Sequence, residues 1–322
     1  MYSKNKLFDL RGEISPRTDI TLQILGALIV FGLWWLFSFV TTKTNITQID
    51  EHQLTSLNIK ITDEKYYSND SLLVADFDKL LKLESVELQQ YGLKRIKVTS
   101  LPSPIAVVMA IPEMFVKDNL IGNIFKSIKL NVYGYIIAII ISILAGFVLG
   151  LIPLFRGLFS RIIDAGRFIP LTAVTGIFIL WLGIDSEMKI AFLAFGILVY
   201  LIPVVVQRID EVQSVYLHTV YTLGATAWQT VKSVYIPYVM SKLIDDIRVL
   251  TAISWTYITI AEMLNKSGGI GELIWEAKRQ SSLEKAFAVL MIIVIIGIIQ
   301  DRLFVALNQV LFPYKMAENK KN

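Results

Sequence analysis

From Ile20 to Val40 the chain carries no charged residue, and from Leu130 to Phe155 it again carries none. A helix needs roughly 20 apolar residues to cross about 30 Å of hydrocarbon. Runs of this kind have few homes other than a membrane. Four more follow: Phe168–Ile184, Ile190–Gln207 after a polar link beginning Asp185-Ser186-Glu187, Val249–Ala261 between Arg248 and Glu262, and Ala286–Gln300 before Asp301-Arg302. Composition agrees, with only 18% of the 322 residues charged and a mean hydropathy of +0.58, against about 25% charged in a soluble domain. The expected fold is therefore an all-α integral membrane protein with six transmembrane helices, the fifth being the shortest.

The same composition excludes several chemistries. There is no cysteine and there are only two histidines, His52 and His218, so disulfides, thiolate sites, cysteine catalysis and a histidine metal cluster are not expected. No cofactor and no metal are expected. The 31 basic residues against 27 acidic ones are scattered between apolar runs rather than gathered on a face, which argues against nucleic acid.

The charges also order the chain. The first run follows Lys4, Lys6, Arg11 and Arg17. It is too long for a signal-peptide core and lacks a small-x-small cleavage site, so it reads as an uncleaved first span. Basic residues in short loops mark the cytoplasmic side. They place the N-terminus (1–19), the loop with Arg156, Arg161 and Arg167, the segment from Arg208 to Arg248 and the tail (314–322) there. Residues 20–40 are the first span, 41–100 an extracytoplasmic insertion and 101–313 the core with five spans. Within the insertion, Leu57–Ile61 alternates as a strand does, and Ile96-Lys97-Val98 suits a second strand. Phe77, Leu80, Leu81 and Leu88 suit an amphipathic helix over 75–91. A small α+β module is expected. Pro104–Phe115 is apolar but short and contains Pro112, which suits an interfacial helix. Asn45-Ile46-Thr47 matches a glycosylation acceptor only by so short a pattern that chance accounts for it.

The most specific stretch lies between the fourth and fifth runs, from His218 to Pro237. Gly224 can take φ > 0 and end one helix. Thr226 followed by Gln229 forms a capping box that begins another. Pro237 ends that short helix or kinks it. The result is a helix-turn-helix elbow exposing Trp228, Val231 and Tyr235, aromatic and aliphatic groups suited to a partner's groove.

This loop resembles the coupling loop of permease subunits of binding-protein-dependent ABC importers. Their pattern is Glu-Ala-Ala, three residues, Gly, nine residues, then Ile-x-Leu-Pro. Gly224 and Pro237 have that spacing, with Val234 and Ile236 at the aliphatic positions, whereas His218-Thr219-Val220 replaces the opening triplet. The resemblance runs from Leu101 to Pro313 and is nearest to the branch handling nitrate, sulfonates and taurine. Its further matches are Leu101-Pro102-Ser103-Pro104, Ile169-Pro170 with Trp181-x-Gly183, Leu223-Gly224-Ala225, Arg248, Glu262 and Gly269-x-Gly271. Leu130 in place of an arginine and the 41–100 insertion depart from that branch. The resemblance implies a bacterial inner-membrane permease paired with a second permease subunit, identical or paralogous. It also implies ABC ATPase subunits on the coupling loop, an extracytoplasmic solute-binding protein and membrane lipid around the spans. No Walker A pattern is present, so ATP hydrolysis is expected on a partner and no catalytic residue here.

Three further features stand apart. Gly146-x-x-x-Gly150 allows close helix approach, either within the subunit or between subunits. Gly268-Gly269-Ile270-Gly271 reads as an extracytoplasmic turn. Arg248 and Glu262, fourteen residues apart, face nearly the same way on a helix, with Thr251, Ser254 and Thr259 between them. Charge at membrane depth usually faces a bundle interior or a water-filled path, so these five residues are candidates for lining a path for a small anionic or zwitterionic solute, with snorkelling to the interfaces as the alternative. An ion-coupled secondary transporter or channel is the other functional class. It would be expected to place Asp, Glu or His in several spans, and the second, third, fourth and sixth runs hold none. A membrane anchor for the 41–100 module is a third.

Overall fold

The computed structural model describes residues 15–48, 93–99, 101–265 and 268–313. Its first helix, α1, spans Pro16–Thr41. Strands β1 (Thr42–Gln48) and β2 (Leu93–Thr99) pair antiparallel, Thr42 opposite Thr99 and Gln48 opposite Leu93. Ile96-Lys97-Val98 falls in β2, while the strand expected at 57–61 and the helix expected at 75–91 lie outside the described residues. Helices α2 (Pro104–Lys117), α3 (Leu120–Leu151), α4 (Pro153–Gly166), α5 (Leu171–Leu182) and α6 (Ser186–Asp210) follow. Next come α7 (Ser214–Thr222), α8 (Ala227–Thr230), a π-helical turn (Val231–Tyr235), α9 (Ile236–Asn265), α10 (Ile270–Arg279) and α11 (Leu283–Leu311). The chain divides into two units, 1–109 and 110–322.

In the first unit, β1 begins at the residue after α1 ends, and the Trp34 indole of α1 donates to the Pro102 carbonyl at 3.0 Å. The ribbon therefore carries the chain out and back to the foot of α1.

In the second unit, α3 and α6 form the closest pair. The buried face of α3 runs Ser127, Asn131, Gly134, Ala138, Ser142, Gly146, a line of small residues at helical spacing that lets two backbones approach. A Cβ on Gly146 would stand 2.5 Å from the Val205 side chain, and one on Gly150 would stand 2.6 Å from that of Ile209. Both glycines thus serve packing within the subunit. Helix α9 lies against α6 as well, with Phe192 of α6 edge-on to Tyr257 of α9 at 6.4 Å.

Among the described residues, five helical stretches are long and apolar enough to cross a membrane: Arg17–Thr41, Leu120–Leu151, Ser186–Asp210, Ala227–Leu264 and Leu283–Leu311. The expected third span is different. Pro170 and Gly183 bound α5 at 12 residues, about 18 Å of rise, too short to cross alone. It is preceded by α4, bent from it by 105°, and only if the two form one broken span does the count reach six. Proline also sets the end of α3. Its expected run extended to Phe155, but Pro153 supplies no N–H and opens α4 instead. Helix α3 begins ten residues before the expected Leu130, at Leu120.

The expected fifth and sixth runs were bounded by charges that the helices instead absorb. Helix α9 is 30 residues long and α11 is 29. Along their contact, Asn308 donates to Asp245 at 2.7 Å, Arg248 grips Asp301 with two hydrogen bonds of 2.5 and 2.8 Å, and Trp255 donates to Gln300 at 2.8 Å. Paired across the two helices, these groups need not end either of them.

Candidate functional site

The elbow is built by two local motifs in series. At the end of α7, Gly224 takes φ +75, its N–H bonds to the Tyr221 carbonyl at 2.9 Å, and the Ala225 N–H reaches back to Val220 at 3.0 Å. That pair of bonds is a Schellman closure, which satisfies carbonyls the helix end would otherwise leave open. Two residues on, the Gln229 N–H bonds to the Thr226 hydroxyl at 3.3 Å while the Gln229 side chain accepts from the Thr226 N–H at 2.7 Å. This capping box contributes about 1 kcal/mol to starting α8.

Pro237 does not end that helix. The turn Val231–Tyr235 widens so that the Ile236 N–H bonds to the Val231 carbonyl, five residues back, and Pro237, with no N–H to give, sits in the first turn of α9. Val234 is half-buried and Ile236 and Pro237 are exposed. Of the three side chains expected to be exposed, Trp228 is, at 70%. Val231 and Tyr235 are half-buried instead, because they continue the line of the buried Val239 and Leu243. The exposed apolar groups at the bend are Tyr221, Leu223 and Trp228, with Val215 and Tyr216 on α7. Ala225 is half-buried.

A clamp of charges holds the base of this elbow. The Arg208 guanidinium binds Asp246 of α9 through two 2.7 Å hydrogen bonds and Glu211 at 2.8 Å, and Lys242 reaches Glu211 at 3.1 Å. Tyr238 donates to the Glu211 carbonyl at 2.8 Å. The Arg208 guanidinium first, and Lys242 after it, hold the Glu211 carboxyl below its ordinary value of 4.5. Arg208 and Glu211 are three residues apart and pair by spacing alone, but nothing along the chain announces that they meet Tyr238, Lys242 and Asp246 of α9.

The far end of α9 carries a second polar assembly. Glu262 is fully buried; it accepts from the Ser127 hydroxyl at 2.6 Å and from the Gly271 N–H at 2.9 Å. Ser127 in turn accepts from the Ile270 N–H at 2.8 Å, and Asn123 from the Gly269 N–H at 2.8 Å. Lys189, also fully buried, donates to the Gly268 carbonyl at 3.1 Å. A Cβ on Gly271 would lie 2.4 Å from the Thr259 carbonyl oxygen, which explains the glycine there. Glu262 and Lys189 therefore fasten the 268–271 turn to α3, α6 and α9 as a latch. Glu262 and the turn are legible in the sequence, whereas Lys189, Ser127 and Asn123 are not. Lys189 was signalled only as a cation in the polar link before an apolar run.

The five candidate path residues do not form one cluster. Thr251 and Ser254 are buried, Ser254 exchanging hydrogen bonds with Asn131 of α3 at 3.1 and 3.2 Å and Thr251 donating to Ile247 at 3.1 Å. Thr259 is half-buried. Arg248, with its side chain 40% exposed, turns to Asp301 of α11, whereas Glu262 turns to α3 and the latch. Among the described residues no group of three or more histidine, aspartate or glutamate side chains could hold a metal.

Residues 138–312, more than half of the chain, match the binding-protein-dependent transport system inner membrane components. The chain belongs to that family. It is thus a multi-pass inner-membrane permease subunit of an ABC importer, in the branch whose relatives are transport permeases for sulfonates, taurine and nitrate. The permease is 26% identical over 227 residues to the aliphatic sulfonates transport permease protein SsuC of Bacillus subtilis, covering 70% of this chain and 81% of that one. It is 24% identical to the taurine transport system permease protein TauC of Escherichia coli, covering 69% and 82%. A chain of the MetNI methionine ABC transporter, solved in an inward-facing conformation, superposes with a TM-score of 0.53 at 17% identity, covering 59% of this permease and 95% of that chain. That likeness concerns the fold alone.

Proposed function

We propose that this permease forms the solute path together with a second permease subunit, a copy or a paralogue, and that its elbow is where ABC ATPase subunits dock. The observation that carries the reading is the elbow itself. Two complete capping motifs fix a sharp bend, and Leu223 at 80% and Trp228 at 70% exposure stand on it with no covering element among the described residues. Exposed aromatic and aliphatic anchors on a rigid bend are what a groove on a partner needs. The π-turn and α9 run from this bend as one continuous helical stretch, Ala227–Leu264, so a push on the elbow reaches the latch end without an intervening joint. ATPase closure would bias the pair between inward- and outward-facing states.

In this reading the elbow, both termini and the α4 segment are cytoplasmic. Residues 41–100 are an extracytoplasmic insertion ahead of the 101–313 core, with a solute-binding protein delivering from that side. The solute is a small anion or zwitterion. The relatives named for sulfonates, taurine and nitrate support this. So does Arg248, which commits two hydrogen bonds to Asp301 and is still 40% exposed, with further donors on its five-donor guanidinium. Thr251, Ser254, Thr259 and Glu262 brace the α9 wall behind it.

The test is Gly224→Val. A β-branched residue at positive φ costs about 1–2 kcal/mol or more, and no neighbour lies within 4 Å of the added Cβ, so the damage is confined to the bend. Membrane levels of the permease should stay unchanged while ATPase copurification and solute uptake both fall. Wild-type copurification and uptake would overturn the docking role.

A further inference from the structure

At the elbow end of α6, a cleft of about 400 Å³ opens between α4, α6 and the end of α3. Its walls differ in chemistry. Leu149, Ile202 and Val206 supply an apolar floor, and Ser160, Arg161 and Gln207 line it together with two further arginines. The sequence of α4 explains most of the split. Arg156 and Ser160 of α4, and Arg167 just after it, recur at helical spacing on the cleft side. Arg161 stands about 140° further round from Arg156 and lines the cleft from its edge, while Leu154, Leu158 and Ile162 recur on another side and are exposed at 65%, 57% and 66%.

Charge in the cleft is only partly neutralised. Arg156 is held by Asp210 at 2.8 Å and Arg167 by Asp164 at 2.8 Å. Arg161 has no partner among the described residues, so three arginines face two aspartates. The level of the cleft also matters. It sits where α3 ends at Leu151 and α6 ends at Asp210, the ends of two helices long and apolar enough to cross a membrane. A soluble anion would match Arg161 but leave the apolar floor wet. An amphiphile with an anionic head would satisfy both, as basic pockets between membrane helices do for lipid headgroups.

We infer that the α4–α6 cleft binds one anionic phospholipid, its phosphodiester on the Arg161 guanidinium with Ser160 and Gln207 donating hydrogen bonds, and its upper acyl chain on Ile202 and Val206. The shared chemistry, a phosphate oxyanion, also occurs in inorganic phosphate, so the experiment separates the two. The full-length permease is reconstituted into discs of phosphatidylcholine containing phosphatidylglycerol, re-extracted in neutral detergent, and its retained lipid is read by native mass spectrometry. Wild type should retain phosphatidylglycerol in preference to phosphatidylcholine. Arg161→Ala should lose that preference by about fivefold, the weight of one basic residue at an anionic membrane surface, and Arg161→Lys should keep most of it. Ser160→Glu, which sets a carboxylate at the rim, should abolish it and serves as the second variant. Excess inorganic phosphate should leave the retained lipid in place. Equal retention by wild type, Arg161→Ala and Ser160→Glu would overturn the site, and displacement of the lipid by inorganic phosphate would overturn the lipid as its occupant.

Discussion

Two glycines of this permease are required for opposite reasons. At Gly224 an added side chain would meet nothing, and the positive φ of the Schellman closure is the whole constraint. At Gly271 the backbone is ordinary, and the constraint is space, because the Thr259 carbonyl lies where a Cβ would go. The second case shows how tightly the 268–271 turn is drawn onto α9. Its central acceptor is Glu262, whose two oxygens each receive a hydrogen bond inside a fully buried site. Glu262→Gln keeps the volume but leaves one acceptor oxygen for two donors and removes the carboxylate from the turn that the buried Lys189 also binds. Hydrogen bonds to a charged group contribute about 1.5–3 kcal/mol, so the variant should unfold at a lower temperature in detergent and transport poorly while still entering the membrane. Thermal unfolding and uptake unchanged from wild type would show that the latch does not need its charge.

Among the elements, the joint between α6 and α9 depends on a cluster of ionised groups near the elbow. Arg208 bridges Glu211 and Asp246, and Lys242 shares Glu211. Because the folded Glu211 carboxyl lies below its ordinary value of 4.5, the stabilisation it provides is complete above that value and is lost as pH falls through the folded one. The part of the thermal stability that this clamp supplies should therefore be flat above about pH 6 and fall only in acid. Arg208→Ala should lower stability across the flat region and shrink the acid-side fall, as a pH series of melting temperatures would show. A stability curve of unchanged shape in Arg208→Ala would rule out the clamp. Such joints are also where the sequence was least legible. The apolar runs located α1, α3, α6 and α11, and the Gly224 and Thr226–Gln229 signals located the elbow to the residue, because both depend on neighbours along the chain. Arg248 and Asp301 marked helix ends only while their pairing was invisible, since a contact between residues so far apart leaves no local trace. The third run misled in another way. Counting apolar residues from Phe168 to Ile184 passed over Pro170 and Gly183, which bound a helix of 12 residues.

For the whole molecule, a bend fixed by capping, a clamp at its base, a long helical stretch from the bend through α9 and a latch where α9 ends follow one another along a single line. In the proposed function, force enters at the bend from an ATPase on the cytoplasmic side. Since the chain has no cysteine, Trp228→Cys introduces a single thiol at that point. The deciding measurement is cross-linking of this thiol, with a short bifunctional reagent, in membranes containing the assembled importer. A cross-linked product between the permease and the ATPase subunit is expected, formed from the cytoplasmic side and weakened when ATP hydrolysis is trapped in a different state. Modification of the thiol from outside the membrane, with no ATPase adduct, would contradict it.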